Sequence, residues 1–158
     1  LMRKLFAAGH AHRKYLRQIF VAMDITAPLY WWKEFDTYKV GTTANSCSTM
    51  HKIAAKEFEL SDFSTEHLVG LSIAALQGVL DVMNLERKHF LVTHDKDCWW
   101  QMIQLLPSSY NQRRTVTMTY ENVMNMLDYR EGHKLDEWRE FCEILRALPH
   151  VEVIRNGK

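Results

Sequence analysis

One stretch repeats apolar residues at helical spacing for longer than a chain of this size can readily hide. Across Thr65–His89, the residues Leu68, Leu71, Ala75, Val79, Val82 and Leu85 fall on one helical stripe. Ser64 or Thr65, after Asp62-Phe63, is the predicted N-cap. The chain has 158 residues, which suits a single domain over 1–158. A domain of that size cannot easily cover so long an apolar helix alone, so an obligate oligomer is expected.

The remaining elements follow from pattern and punctuation. Gln18–Ile25 is rich in β-branched and aromatic residues and reads as a strand. Thr26 is the expected cap of a helix with Pro28 in its first turn and Leu29, Tyr30, Trp31, Trp32 and Phe35 along it. Thr37–Ser48 is small and polar and reads as a loop. A helix is predicted over Lys96–Leu105, a strand over Arg113–Thr119 and a helix over Tyr120–Arg130 with Gly132 as its C-cap. Lys134–Leu148 carries Leu135, Trp138, Phe141, Cys142, Leu145 and Leu148 on one stripe, with Asp136, Glu140 and Glu143 off it. Val151–Ile154 reads as a short strand or a frayed tail. Strands and helices segregate rather than alternate, which makes the fold class α+β.

Composition narrows the function classes. Hydrophobic residues are 47% and charged residues 25%, the balance of a globular protein. Twenty basic and nineteen acidic side chains leave a formal charge of +1, too little excess for a general nucleic-acid binder. No apolar run is long enough for a membrane span. Leu1–Arg13 is broken by Arg3, Lys4, His10 and His12, so no signal peptide is expected and the cytoplasm is the expected compartment. Cys47, Cys98 and Cys142 are odd in number and widely spaced, a poor disulfide framework that suits a reducing compartment.

Several constellations invite a chemical reading. His10 and His12, with His51, His67, His89, His94, His133 and His150 further on, show no third ligand at diagnostic spacing, and no metal site is expected. Cys47 sits in the polar loop without a base assigned to it and reads as an unactivated thiol. Within Trp31-Trp32 and Trp99-Trp100, neighbours on a helix point about 100° apart, so at most one of each pair faces a given pocket. Asn122, Asn125 and Tyr129 form a polar stripe opposite Val123 and Leu127, either open to solvent or lining a cleft.

Two segments together resemble the flavin-dependent thymidylate synthase family. In that family a strand leads to a Pro-started helix and then a loop of the form R-H-R-x-x-S-x-N-E-x-S-x-R. Ile25–Met50 matches in Ala27-Pro28, in the aromatic helix, and in Asn45 and Ser48, with Thr42 or Thr43 in place of the earlier Ser. The second segment, Leu106–Leu148, follows the family's C-terminal order through Leu106-Pro107, Asn125, Arg130, His133 and Glu137. The departures are specific. Thr37-Tyr38-Lys39 replaces R-H-R, Ser46 and Met50 replace the loop's Glu and last Arg, and Ile103 or Gln104 stands where an Arg precedes Leu-Pro. Thr119-Tyr120-Glu121 replaces the family's Asn-x-Arg. The missing arginines grip phosphates bidentately in the family, which Lys copies poorly and Glu opposes.

The resemblance implies an antiparallel sheet with long helices and a homotetramer with active sites between subunits. It implies FAD as cofactor, dUMP as substrate, and reductive methylation with methylenetetrahydrofolate and NADPH as cosubstrates. No enzyme nucleophile is required, because reduced flavin supplies hydride. Carried over residue by residue, Asn45 and Asn125 are the expected flavin contacts, and Ser48, Arg130 and Lys39 the expected contacts to the pyrimidine nucleotide. The resemblance is that of a divergent homologue lacking most signature arginines, with a phage-type member as one form it could take. The alternative reading is a non-catalytic homologue, an oligomeric module that binds a nucleotide or a protein through the old cleft.

Overall fold

The computed structural model describes residues 1–154. Its elements run α1 (Met2–Ala7), a 3-10 helix (His10–Gln18), β1 (Phe20–Pro28), α2 (Leu29–Phe35), β2 (Thr42–Ser46), α3 (Thr49–Lys52), a 3-10 turn (Leu60–Asp62), α4 (Leu71–Thr93), α5 (Lys96–Leu105), β3 (Asn111–Thr119), α6 (Tyr120–Arg130), α7 (Asp136–Arg146) and a last 3-10 turn (Val151–Val153). The class is α+β. The strands form one three-stranded antiparallel sheet in the order β1-β3-β2. Tyr120 N–H donates to Ile19 O and Leu29 N–H to Tyr110 O, both at 3.0 Å, and Thr115 Oγ1 donates to Asp24 Oδ1 at 2.6 Å. Each step up β1 is matched by a step down β3, which is antiparallel register.

The described residues form two compact units, 1–25, 33–45 and 115–154 in the first and 26–32 and 46–114 in the second. In the first, α7 buries Trp138, Phe141, Cys142 and Leu145, as its stripe predicts, and leaves Glu140 and Glu143 outside. Trp138 stacks on Phe35 at 6.3 Å between centroids and meets Phe141 edge-on at 5.9 Å. β3 passes directly into α6 because Thr119 caps it. The Thr119 hydroxyl accepts from Asn122 N–H, and the Asn122 side chain accepts in return from Thr119 N–H at 3.1 Å.

In the second unit the core is Ile53, Phe58, Phe63, Leu76, Leu80, Met83 and Met102, with α4 and α5 as its helical walls. The α4–α5 hairpin is tight. His94 takes the left-handed conformation at φ 55° and closes α4, and the Asp95 side chain caps α5 by accepting from Asp97 N–H at 2.9 Å.

Six expectations need correction. The aromatic helix α2 starts at Leu29 rather than after Thr26, because Leu29 N–H is still engaged by Tyr110 O in the sheet, so Thr26 and Pro28 belong to β1. The polar stretch Thr37–Ser48 contains strand β2, whose residues are nearly all exposed and so lack the apolar alternation that marks a strand. The long helix runs Leu71–Thr93 with Gly70, not Ser64 or Thr65, before it. Its buried residues are Leu76, Leu80 and Met83, whereas Leu71, Val82 and Leu85 of the predicted stripe are exposed. Glu131 rather than Gly132 caps α6. Val151–Val153 is a buried 3-10 turn, neither strand nor frayed end.

Candidate functional site

Each unit brings parts of the two family-like segments together. In the first unit the meeting point is Arg130, at the end of α6. Its Nη1 donates to Glu34 Oε2 at 2.8 Å and lies 2.9 Å from His133 Nε2, and its Nε donates to the Tyr38 hydroxyl at 3.0 Å. The guanidinium also lies over the rings of Trp138, at 5.0 Å, and Tyr38, at 5.6 Å. Burial opposes the charge on Arg130, but the hydrogen bonds to Tyr38 and Glu34 outweigh it and raise the pKa from its ordinary value. The fork that the resemblance assigns to a phosphate is engaged inside the chain. Tyr38, which stands in the replaced R-H-R triplet, is one of the groups that engages it.

The other predicted contacts of this unit are dispersed. Lys39 is exposed between α2 and β2. Asn45 is exposed on β2, and Asn125 is half-buried on α6. The Asn122–Asn125–Tyr129 stripe divides by role. Asn122 is a buried structural amide that donates to Val40 O at 2.7 Å, while Tyr129 is 77% exposed.

In the second unit Ser48 lines a cleft of about 290 Å³, together with Cys47, Thr49, Lys52, Lys56 and Arg113. The Ser48 hydroxyl accepts from His51 N–H at 3.4 Å and starts the short helix α3. Gln112 Nε2 donates to Thr49 Oγ1 at 3.0 Å, tying the start of α3 to β3. Lys52, Lys56 and Arg113 line the cleft together with Asp62, whose carboxylate pairs with Lys56. Burial, then the nearby Asp62 charge, pushes the Tyr110 hydroxyl on the cleft wall above its ordinary pKa, so it stays a neutral donor. The arrangement suits an anion: the Ser48 hydroxyl, the Tyr110 phenol and the Lys52 ammonium border one concave space. Sequence reasoning found Ser48 but missed Lys52, Lys56 and Arg113. Only the helical step from Ser48 to Lys52 was available as a signal.

Trp31 and Trp32 are both buried and meet edge-on at 4.9 Å. Trp32 Nε1 donates to Gln112 O at 2.9 Å, and Arg114 lies over its ring at 4.3 Å. These indoles are core, not a stacking platform.

The fold is matched by known structures. No family model matches the chain, and no curated protein matches it by sequence. Seventy-seven chains of solved structures do match by fold. One is flavin-dependent thymidylate synthase ThyX from Helicobacter pylori complexed with FAD and dUMP, with a TM-score of 0.66 at 15% identity over 98% of this chain and 82% of that one. A second structure of the same enzyme, also with FAD and dUMP, gives a TM-score of 0.66 at 15% identity over 98% and 81%. The fold is that of flavin-dependent thymidylate synthase. At this identity the likeness extends to the fold alone. Among the described residues, no helix is long and apolar enough to cross a membrane.

Proposed function

We propose that the chain is a divergent flavin-dependent thymidylate synthase-like protein that binds a pyrimidine nucleotide such as dUMP, with its phosphate in the Ser48 cleft. The observation that carries this is the convergence of Ser48 with Lys52, Lys56 and Arg113 around one concave space. The two similar structures, which hold FAD and dUMP, supply the ligand class. Lys52 and Lys56 are exposed, so their grip is electrostatic and weakens with salt.

FAD is the cofactor of this reading, and its fit to one chain is partial. Asn45 and Asn125 offer amide hydrogen bonds, but Asn45 lies open to solvent. A flavin there needs a second wall, which a neighbouring copy of the chain would supply. The exposed apolar face of α4 supports such assembly: Leu71 is 88% exposed and Val92 82%, with Val82 and Leu85 between them on the same face. A homotetramer is the assembly proposed. Bound flavin would supply hydride for reductive methylation of dUMP, with methylenetetrahydrofolate and NADPH as cosubstrates.

A second reading, a non-catalytic nucleotide-binding homologue, is favoured by one observation. Arg130 is committed to Glu34, Tyr38 and His133. The two readings share the nucleotide and differ in the flavin. Protein expressed with excess riboflavin and purified should show a flavin absorption spectrum and bind dUMP. A colourless protein that still binds dUMP is the non-catalytic homologue. A colourless protein that binds no nucleotide overturns both.

A further inference from the structure

The α4–α5 hairpin places three donor side chains of different chemistry around one point. Glu86 and His89 are one helical step apart on α4 and therefore neighbours on its surface. Cys98 sits in the first turn of α5, three residues beyond its Asp95 cap. One ligand atom of each residue lies within 4.8 Å of the others, and the Cys98 thiol hydrogen-bonds Glu86. The hairpin that sets this spacing is short and held by its own hydrogen bonds. His94 N–H donates to Phe90 O at 2.9 Å, Asp95 N–H donates to Thr93 Oγ1 at 3.2 Å, and the Asp95 cap follows. Glu86 and Cys98 are half-buried and His89 is exposed, so the group is open on one side.

We propose that Glu86, His89 and Cys98 form a binding site for a borderline divalent transition metal, zinc above all, with water in the fourth position. A carboxylate, an imidazole and a thiolate make the mixed oxygen, nitrogen and sulfur set that tetrahedral zinc accepts. The sulfur selects against magnesium and calcium, which take oxygen ligands. On binding, the Cys98 S–H bond breaks, its proton passes to solvent, and the sulfur lone pair forms the bond to the metal. The site ties α4 to α5 and stands apart from the Ser48 cleft in its residues, so it does not depend on nucleotide binding. Histidine spacing in the sequence points elsewhere, to His10 and His12. The signal that marks this site is a Glu and a His one helical turn apart, followed nine residues later by a Cys across a tight turn.

The test uses untagged, reduced full-length protein and Co²⁺ as a spectroscopic probe, with Zn²⁺ and Mg²⁺ as competitors. The expected result is one Co²⁺ per chain, a thiolate-to-cobalt charge-transfer band, and displacement by Zn²⁺ but not by Mg²⁺. Cys98→Ser should abolish the band. His89→Ala, at the exposed position, and Glu86→Gln should each weaken Co²⁺ binding by at least about tenfold. Cys47→Ser should leave the band intact. No stoichiometric uptake by wild type, displacement by Mg²⁺ as readily as by Zn²⁺, one ion per two chains, or a band that follows Cys47 rather than Cys98 would each overturn the proposal.

Discussion

Arg130 reaches back from the end of α6 to Glu34 on α2, with Nη1 2.8 Å from Oε2. The guanidinium is mostly buried and the carboxylate is 43% exposed, so the ion pair by itself contributes little. What makes the contact specific is its surroundings, the Tyr38 hydroxyl on Nε and the Trp138 ring beneath. Arg130→Ala should therefore lower stability by roughly 1–3 kcal/mol, the range for a charged hydrogen bond together with a cation–π contact. Arg130→Lys should recover little, because an ammonium cannot span the Glu34, Tyr38 and His133 positions at once. Urea unfolding of the two variants checks this. Equal midpoints for wild type and Arg130→Ala would show that the clamp has no structural role.

Trp138→Ala should be the more damaging change. The indole is fully buried against Phe35 and Phe141, and such truncations cost roughly 3–5 kcal/mol. A shift in the denaturation midpoint worth under about 1 kcal/mol would place Trp138 at the periphery.

Gly41 leads into β2 with φ at 79°, and a Cβ there would lie 2.9 Å from Asn122 Oδ1. That oxygen accepts from both the Thr119 N–H and its hydroxyl, so it has little freedom to retreat. Gly41→Ala should cost about 1–3 kcal/mol through backbone strain, with further loss from the contact. Thermal unfolding at a midpoint equal to wild type would contradict the assigned turn.

The exposed stripe Leu71, Val82, Leu85 and Val92 on α4 should be covered by another copy. Light scattering is expected to give a tetramer, and Val82→Glu with Leu85→Lys should shift it toward monomer while far-ultraviolet circular dichroism is kept. A monomeric wild type at high concentration would remove the basis for a shared flavin site.

The legible parts of the sequence were those where one local rule acted alone. α5 and α6 lie at the bounds expected for them, and the alternation of Arg113–Thr119 locates most of β3, while their caps, Asp95 and Thr119, come from the structure. α4 misled because it carries apolar residues on both faces: periodicity located the helix but chose the exposed stripe over Leu76, Leu80 and Met83. β2 was invisible because Thr42–Ser46 is an exposed edge strand, and backbone pairing with β3 rather than side-chain burial makes it a strand. The N-terminal α1 and the 3-10 helix after it carried no recognised signal. At the site, Ser48 was legible from the family-like loop, while the cations beside it depend on tertiary placement. Arg130 was legible as a special residue, but Tyr38 and Glu34 as its partners were not, since they lie 92 and 96 positions away.

The central claim is that the Ser48 cleft holds a nucleotide phosphate, and calorimetric titration of dUMP against deoxyuridine tests it most directly. The account predicts one dUMP bound per chain, with deoxyuridine at least about tenfold weaker because it lacks the charged oxygens. It predicts that Lys52→Ala and Ser48→Ala reduce dUMP affinity, that added salt does the same, and that deoxyuridine is unaffected by either. No dUMP binding by well-folded protein, or equal affinities for dUMP and deoxyuridine, would contradict it.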